Sequence, residues 1–219
     1  MKRILRRVSS LGMVLVFLLV FTGCTFSFDQ SFTSEILSDQ PSDGDIGFLA
    51  GSSQPFIVTS GPSTLQFGLA SDFREYRAFL DFPLDGSTGG DVVPLNADIE
   101  SASLTVHIVG MDFATRVRTA LDLVTYNPFA LNSGNYNAPP LVLGSGFSAI
   151  REFDLFLSDV GYDVVIDVTS FLREVQARGL SDFQVRFRLA DVPGADGFVS
   201  IDDRPTVAVT APLLTVRYF

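Results

Sequence analysis

Ile99-Glu100-Ser101-Ala102-Ser103-Leu104-Thr105-Val106-His107-Ile108-Val109 is the stretch that decides the fold. Leu104, Val106 and Ile108 alternate with Ser103, Thr105 and His107. Side chains of a strand point to opposite faces in turn, so this period of two predicts a β-strand with one face in a core and one polar face. Shorter runs of the same kind lie on either side. They are 56–59, 64–69 and 76–82 before it, and 120–126, 149–157, 162–168, 183–189, 198–201 and 213–218 after it. Turn-forming clusters such as Gly61-Pro62-Ser63 separate them. Many short strands bounded by turn chemistry predict an all-β domain, a jelly-roll-like antiparallel β-sandwich. The period changes once. Phe171, Leu172 and Val175 fall at helical spacing, Thr169 or Ser170 can cap the start, and Gly179 can stop it, which predicts one short helix.

The amino-terminal segment obeys different rules. Lys2, Arg3, Arg6 and Arg7 precede an apolar run from Leu11 to Phe21 that ends in Thr22-Gly23-Cys24. Charge followed by an apolar run shorter than the about 20 residues of a membrane span is the order of an export signal. Small residues before a lone cysteine resemble a bacterial lipobox, in which the thiol is lipidated and the cysteine becomes the first residue. The expected organisation is a signal peptide over 1–23, a lipidated Cys24 with a tether over 24–44, and a β-sandwich over 45–219. Phe26, Phe28 and Phe32 fit either a first strand or a linker that packs loosely. Thr25 after the cysteine points to the outer membrane as the destination, in a bacterial cell envelope.

Removing the signal leaves 11 basic against 25 acidic residues, a balance of −14, and every remaining basic residue is arginine. A chain of that sign repels phosphate backbones and anionic lipid surfaces, which argues against nucleic acid and leaves lipid on Cys24 as the route to a membrane. With its single cysteine lipidated the exported chain has no disulfide, so burial of phenylalanines, 21 in the whole sequence with two of them in the signal, and of aliphatic residues must stabilise it. The single histidine excludes multi-histidine zinc sites. No G-x-S-x-G elbow accompanies His107. The Asp-rich pieces around Gly44, at 191–196 and at Asp202-Asp203 do not reproduce the calcium loop of an EF-hand, so no metal and no cofactor is expected.

Two regions attract a binding role. Arg186 and Arg188 project from one face of a strand and Arg116 and Arg118 do likewise near another, so convergence of the pairs would make a basic stripe able to hold carboxylated sugars by paired hydrogen bonds. Charges on exposed strand faces also serve simply to prevent edge pairing. The Asn-, Pro- and Gly-rich loop over 127–146 is the second region, with Tyr126, Phe129 and Tyr136 as a stacking platform or as pins that fasten the loop.

The order of these signals resembles DNRLRE-type domains. Tyr76-Arg77-Ala78-Phe79-Leu80-Asp81-Phe82 and Ile99-Glu100-Ser101-Ala102-Ser103-Leu104 are similar to its opening strands. Asp163-Val164-Val165-Ile166-Asp167-Val168-Thr169 is similar to its "D-V-T" strand and helix, and Pro212-Leu213-Leu214-Thr215-Val216-Arg217-Tyr218 to its last strand. The resemblance covers roughly 45–218. It implies an extracellular bacterial jelly-roll grouped with carbohydrate-binding modules, some of them specific for acidic polysaccharides. Tyr136-Asn137-Ala138-Pro139 stands where a tryptophan-bearing "W-N-x-x-P" segment is expected, and residues 206–211 extend the space between Arg204-Pro205 and the last strand. The expected function is therefore a membrane-anchored envelope lipoprotein displaying a non-catalytic module for carbohydrate, with Arg116, Arg118, Tyr136, Arg186 and Arg188 in contact with the ligand. The alternative is a structural or assembly lipoprotein that binds another envelope protein.

Overall fold

The computed structural model describes residues 30–88, 91–191, 196–204 and 209–219. The signal segment, Cys24 and Phe26 and Phe28 lie outside them. Residues from Ser31 to the carboxyl end form one unit. Its twelve strands are β1 Phe32–Leu37, β2 Gly44–Phe48, β3 Phe56–Ser60, β4 Thr64–Leu69, β5 Glu75–Pro83, β6 Ile99–Asp112, β7 Arg116–Leu123, β8 Ile150–Phe156, β9 Asp163–Asp167, β10 Asp182–Leu189, β11 Phe198–Asp202 and β12 Leu213–Tyr218. The single α-helix among the described residues, α1, spans Thr169–Ala177. The fold is all-β and sandwich-like, as the alternation predicted.

All the pairings are antiparallel, and β6 explains how one curled sheet makes two layers. Its first half lies between β12, paired over Ile99–Thr105, and β9, paired over Ser103–His107. Its last residues pair instead with β11, which leads through β4 to β5. The opposite layer runs β3-β2-β5-β10-β7-β8. A 14-residue strand is about 45 Å long, enough to leave one layer and enter the other. A register shift at Ser200/Ile201 marks the bend.

The core lies between the layers. Leu104, Val106 and Ile108 from β6 meet Ala78, Leu80 and Phe82 from β5, Leu121 and Leu123 from β7, and Phe183, Val185 and Phe187 from β10. Each fully buried Leu, Ile or Phe contributes about 1.5–3 kcal/mol, so this interior takes the place of disulfides. Helix α1 closes the core with Phe171, Leu172 and Val175. Neither Thr169 nor Ser170 caps it. The Thr169 hydroxyl instead accepts from Ala102 N at 3.0 Å and donates to Asp167, tying the helix start to β6. Gly179 does end it, at φ +64°.

Residues 32–37 and Gly44, expected within the tether, are strand instead: the first-strand alternative holds for Phe32, whereas β2 and the 3-10 helix were not foreseen. β2 is five residues long with two glycines, Gly44 and Gly47, and β1 draws Phe32 into the sheet opposite Tyr218. The region 127–146 contains a 3-10 helix at Ser133–Asn137, capped by Asn132 and Asn135. It packs on the outer face of the β5-β10-β7 layer, where Ile46, Phe79, Val124, Tyr126 and Tyr136 form a second small core. The central strands are consequently buried on both faces.

Candidate functional site

The register of β10 on β7 pairs Arg186 with Asp122 and Arg188 with Ala120, and β7 on β8 pairs Arg118 with Asp154 and Arg116 with Phe156. All four arginines therefore share the outer face of one layer, as expected, but in two different states. Arg186 is 3% exposed and Arg188 is also buried. Both guanidinium groups converge on the buried carboxylate of Asp122, Arg186 Nε at 3.1 Å and Arg188 Nε at 2.8 Å from Oδ2. Arg186 Nη1 also donates to the carbonyls of Tyr136 and Ala138, each at 2.9 Å. Arg77 donates to the same Tyr136 carbonyl at 2.8 Å and lies 4.0 Å from the centre of its ring.

Tyr136 is thus held between Arg77, Phe48 and Phe56, and its ring is buried. Burial pushes its hydroxyl up to about 12. These contacts assign Tyr136 and Arg186 to fastening the loop, and Arg188 to the buried charge network around Asp122. Tyr126 is buried with them, while Phe129 stands in solvent.

Arg116 and Arg118 remain at the surface. Arg116 Nη2 donates to Asp154 at 2.8 Å, and Arg118 to Glu152 at 3.2 Å. The bond from Arg116 holds the Asp154 carboxyl below the usual carboxylate range. Arg116 also lines an open cleft of about 700 Å³, with Met111, Asp112, Phe113, Ala114, Thr115, Leu157 and Asp196. The cleft is built from three chain segments at one end of the sandwich. The β6–β7 turn supplies Phe113, Leu157 follows β8 and bonds through its N–H to Thr115 O at 3.0 Å, and Asp196 precedes β11. Gly197 allows the last approach. A Cβ there would lie 2.5 Å from Val117 Cγ2 and 2.9 Å from Ala114 Cβ, and its φ is +114°.

Phe113 itself is unusual. With Phe73, in the β4–β5 turn, it is one of two non-glycine residues of positive φ among the described residues, at +67° and +63°. A bulky side chain in this region costs about 1–2 kcal/mol, which glycine or asparagine would avoid. Both rings point into solvent, 66% and 78% exposed, so no packing offsets the cost. Gly68, Phe198 and Asp112 stand at one level on adjacent strands, so the two turns occupy the same end of the sheet. The chain enters at the other end, where Phe32 faces Tyr218 and Tyr218 faces Ile99.

The remaining polar candidates are internally committed. His107 Nδ1 meets Asp163 Oδ1 at 2.7 Å across the β6–β9 pair. Asp81 accepts from Gln184 Nε2 at 2.8 Å, and Asp202 accepts from Arg204 Nε at 2.8 Å. Asp43 and Asp203 are both buried; Asp43 Oδ1 accepts from Asp81 N at 2.6 Å and Asp203 Oδ1 from Ser38 Oγ at 3.2 Å. Their other oxygens meet no donor unless one carboxyl keeps its proton. Desolvation raises Asp43 well above its ordinary value and Asp203 to about 7, and it raises Asp81 to about 7 and Asp45 to about 6. Among the described residues no group of three or more His, Cys, Asp or Glu is arranged to hold a metal ion.

A scan against protein-family models finds no match for this chain, and a search of curated proteins finds none either. The resemblance to DNRLRE-type domains therefore rests on the quoted motifs.

Proposed function

We propose that this is an exported lipoprotein, attached to the bacterial envelope through lipid on Cys24, whose β-sandwich is a non-catalytic binding module for carbohydrate. The observation that carries the reading is the cleft beside Phe113. An exposed aromatic ring, a guanidinium, a threonine hydroxyl and two carboxylates meet there, at the end of the sandwich away from the chain's entry. A flat ring offers the apolar face of a sugar a stacking surface, and the polar groups around it supply directional hydrogen bonds. Strain kept at an exposed side chain supports a binding role, because the fold gains nothing from it. In this reading Arg116 is the member of the arginine face that meets ligand and Arg118 stands next to it outside the cleft lining, while Arg186, Arg188 and Tyr136 support the sheet beneath.

The test is binding of the full chain, in detergent micelles, to a panel of immobilised neutral, acidic and amino-substituted polysaccharides. Retention on at least one member, weakened by Phe113→Ala, supports the reading. Elution in the void from all of them would replace it with the assembly role, in which the same end meets another envelope protein.

A further inference from the structure

We propose that the cleft beside Phe113 selects glycans that carry amines, a polymer of glucosamine being the simplest, over polyuronates. The inference rests on the reading of the module as carbohydrate-binding and names the class of sugar.

The arginine face is electrically closed. Arg116 and Arg118 are matched by Asp154 and Glu152, and Arg186 and Arg188 by Asp122 and Asp191, with Arg188 Nη1 at 2.9 Å from Asp191. No guanidinium of this face is left to neutralise a carboxylated sugar. Two carboxylates at the cleft are in the opposite condition. Asp112, at the end of β6, and Asp196, before β11, have no ion-pair partner among the described residues, and both line the cleft. The local surplus is negative, and so is the field of the whole chain, with formal net charge −10.

The chemistry of an amino sugar fits this surplus. An ammonium group donates charge-assisted hydrogen bonds to a carboxylate, and the face of an aromatic ring attracts a cation. Phe113 stands between Asp112 and the remainder of the turn, so one ring can take the apolar face of a sugar while the neighbouring carboxylates take its amines. Arg116 uses part of its donor fork on Asp154, and its other N–H groups can serve neutral hydroxyls. A polyuronate would bring carboxylates against Asp112 and Asp196 with no free cation to meet them, and like charges at short range repel.

Three hexamers decide the matter by calorimetric titration of the full chain in micelles at pH 5.5: glucosamine, N-acetylglucosamine and a uronic acid. The first two share a backbone and differ in charge. The expected result is that the glucosamine hexamer binds at least tenfold more tightly than its acetylated counterpart, that 0.5 M salt erodes the advantage, and that Asp112→Asn with Asp196→Asn removes it. Both residues are on the surface, so an unchanged melting temperature shows that the double variant is folded. Equal binding of the two glucosamine hexamers, tighter binding of the uronic acid hexamer, or an unchanged preference in the double variant would overturn the inference and leave the module reading standing. If none of the three hexamers and no polysaccharide of the panel binds, the module reading itself falls.

Discussion

Replacing Asp203 by Asn should flatten the pH dependence of stability and make the protein more stable at pH 8. Asp203 follows β11 and faces Asp43, which precedes β2, in a buried site that also feels Asp39, Asp81, Asp182, Asp202 and the Tyr126 hydroxyl. Arg204, next to Asp203 in the chain, is engaged with Asp202. Burial raises Asp203 from 3.8 to about 7 and Asp43 well above its ordinary value, so the native state keeps protons that the unfolded chain releases near pH 4. A carboxyl raised in this way contributes stability that is fully present below pH 3.8 and is lost as the pH rises through about 7. Three pH units at 1.36 kcal/mol each put the loss at about 4 kcal/mol for Asp203. Asn keeps the acceptor for Ser38 and cannot ionise. For a domain of this size 1 kcal/mol moves the melting temperature by about 2–4 °C, so the variant should melt on the order of 10 °C higher at pH 8 and nearly unchanged at pH 4. Thermal unfolding by circular dichroism from pH 4 to pH 8 measures this. A wild-type melting temperature that holds steady or climbs across that range, or an Asp203→Asn curve parallel to it, would refute the reasoning.

Other outcomes follow from the same contacts. Asp122→Ala leaves the buried Arg186 and Arg188 without their shared counter-ion, which should destabilise the domain by about 3–5 kcal/mol in chemical denaturation. Tyr136→Ala removes a buried ring from the second core and should cost about 3–5 kcal/mol while leaving glycan affinity at the distant cleft within twofold, as read by titration. Cys24→Ala should move the protein from the membrane to the soluble fraction on cell fractionation, since lipid contributes about 0.8 kcal/mol per buried methylene and no other anchor is proposed.

The strands were legible because alternation in β6, β10 and β12 survives the curl of the sheet, and α1 was legible because its apolar residues change period. The burial of the arginine face was not. Gln184, Arg186 and Arg188 alternate with Phe183, Val185 and Phe187 just as a solvent-facing row would, and the counter-ion, Asp122, lies on a different strand more than 60 residues away. Nothing local says that the loop around Tyr136 folds back over that row. The covering makes an amphipathic strand into a doubly buried one and converts a presumed ligand site into a structural network. The cleft was missed for the opposite reason. Phe113 stands alone between Asp112 and Ala114, outside any periodic pattern. Its one signal is chemical, a phenylalanine in a tight turn between two strands, where glycine or asparagine is the usual occupant.

The central claim is that the Phe113 end of the sandwich is where ligand binds, and amide hydrogen exchange of the full chain with and without the tightest-binding glycan of the panel tests it most directly. The account predicts slowed exchange over 111–116 and around Leu157, with residues 133–138 unchanged. Protection centred on 133–138, with none over the β6–β7 turn, would contradict it.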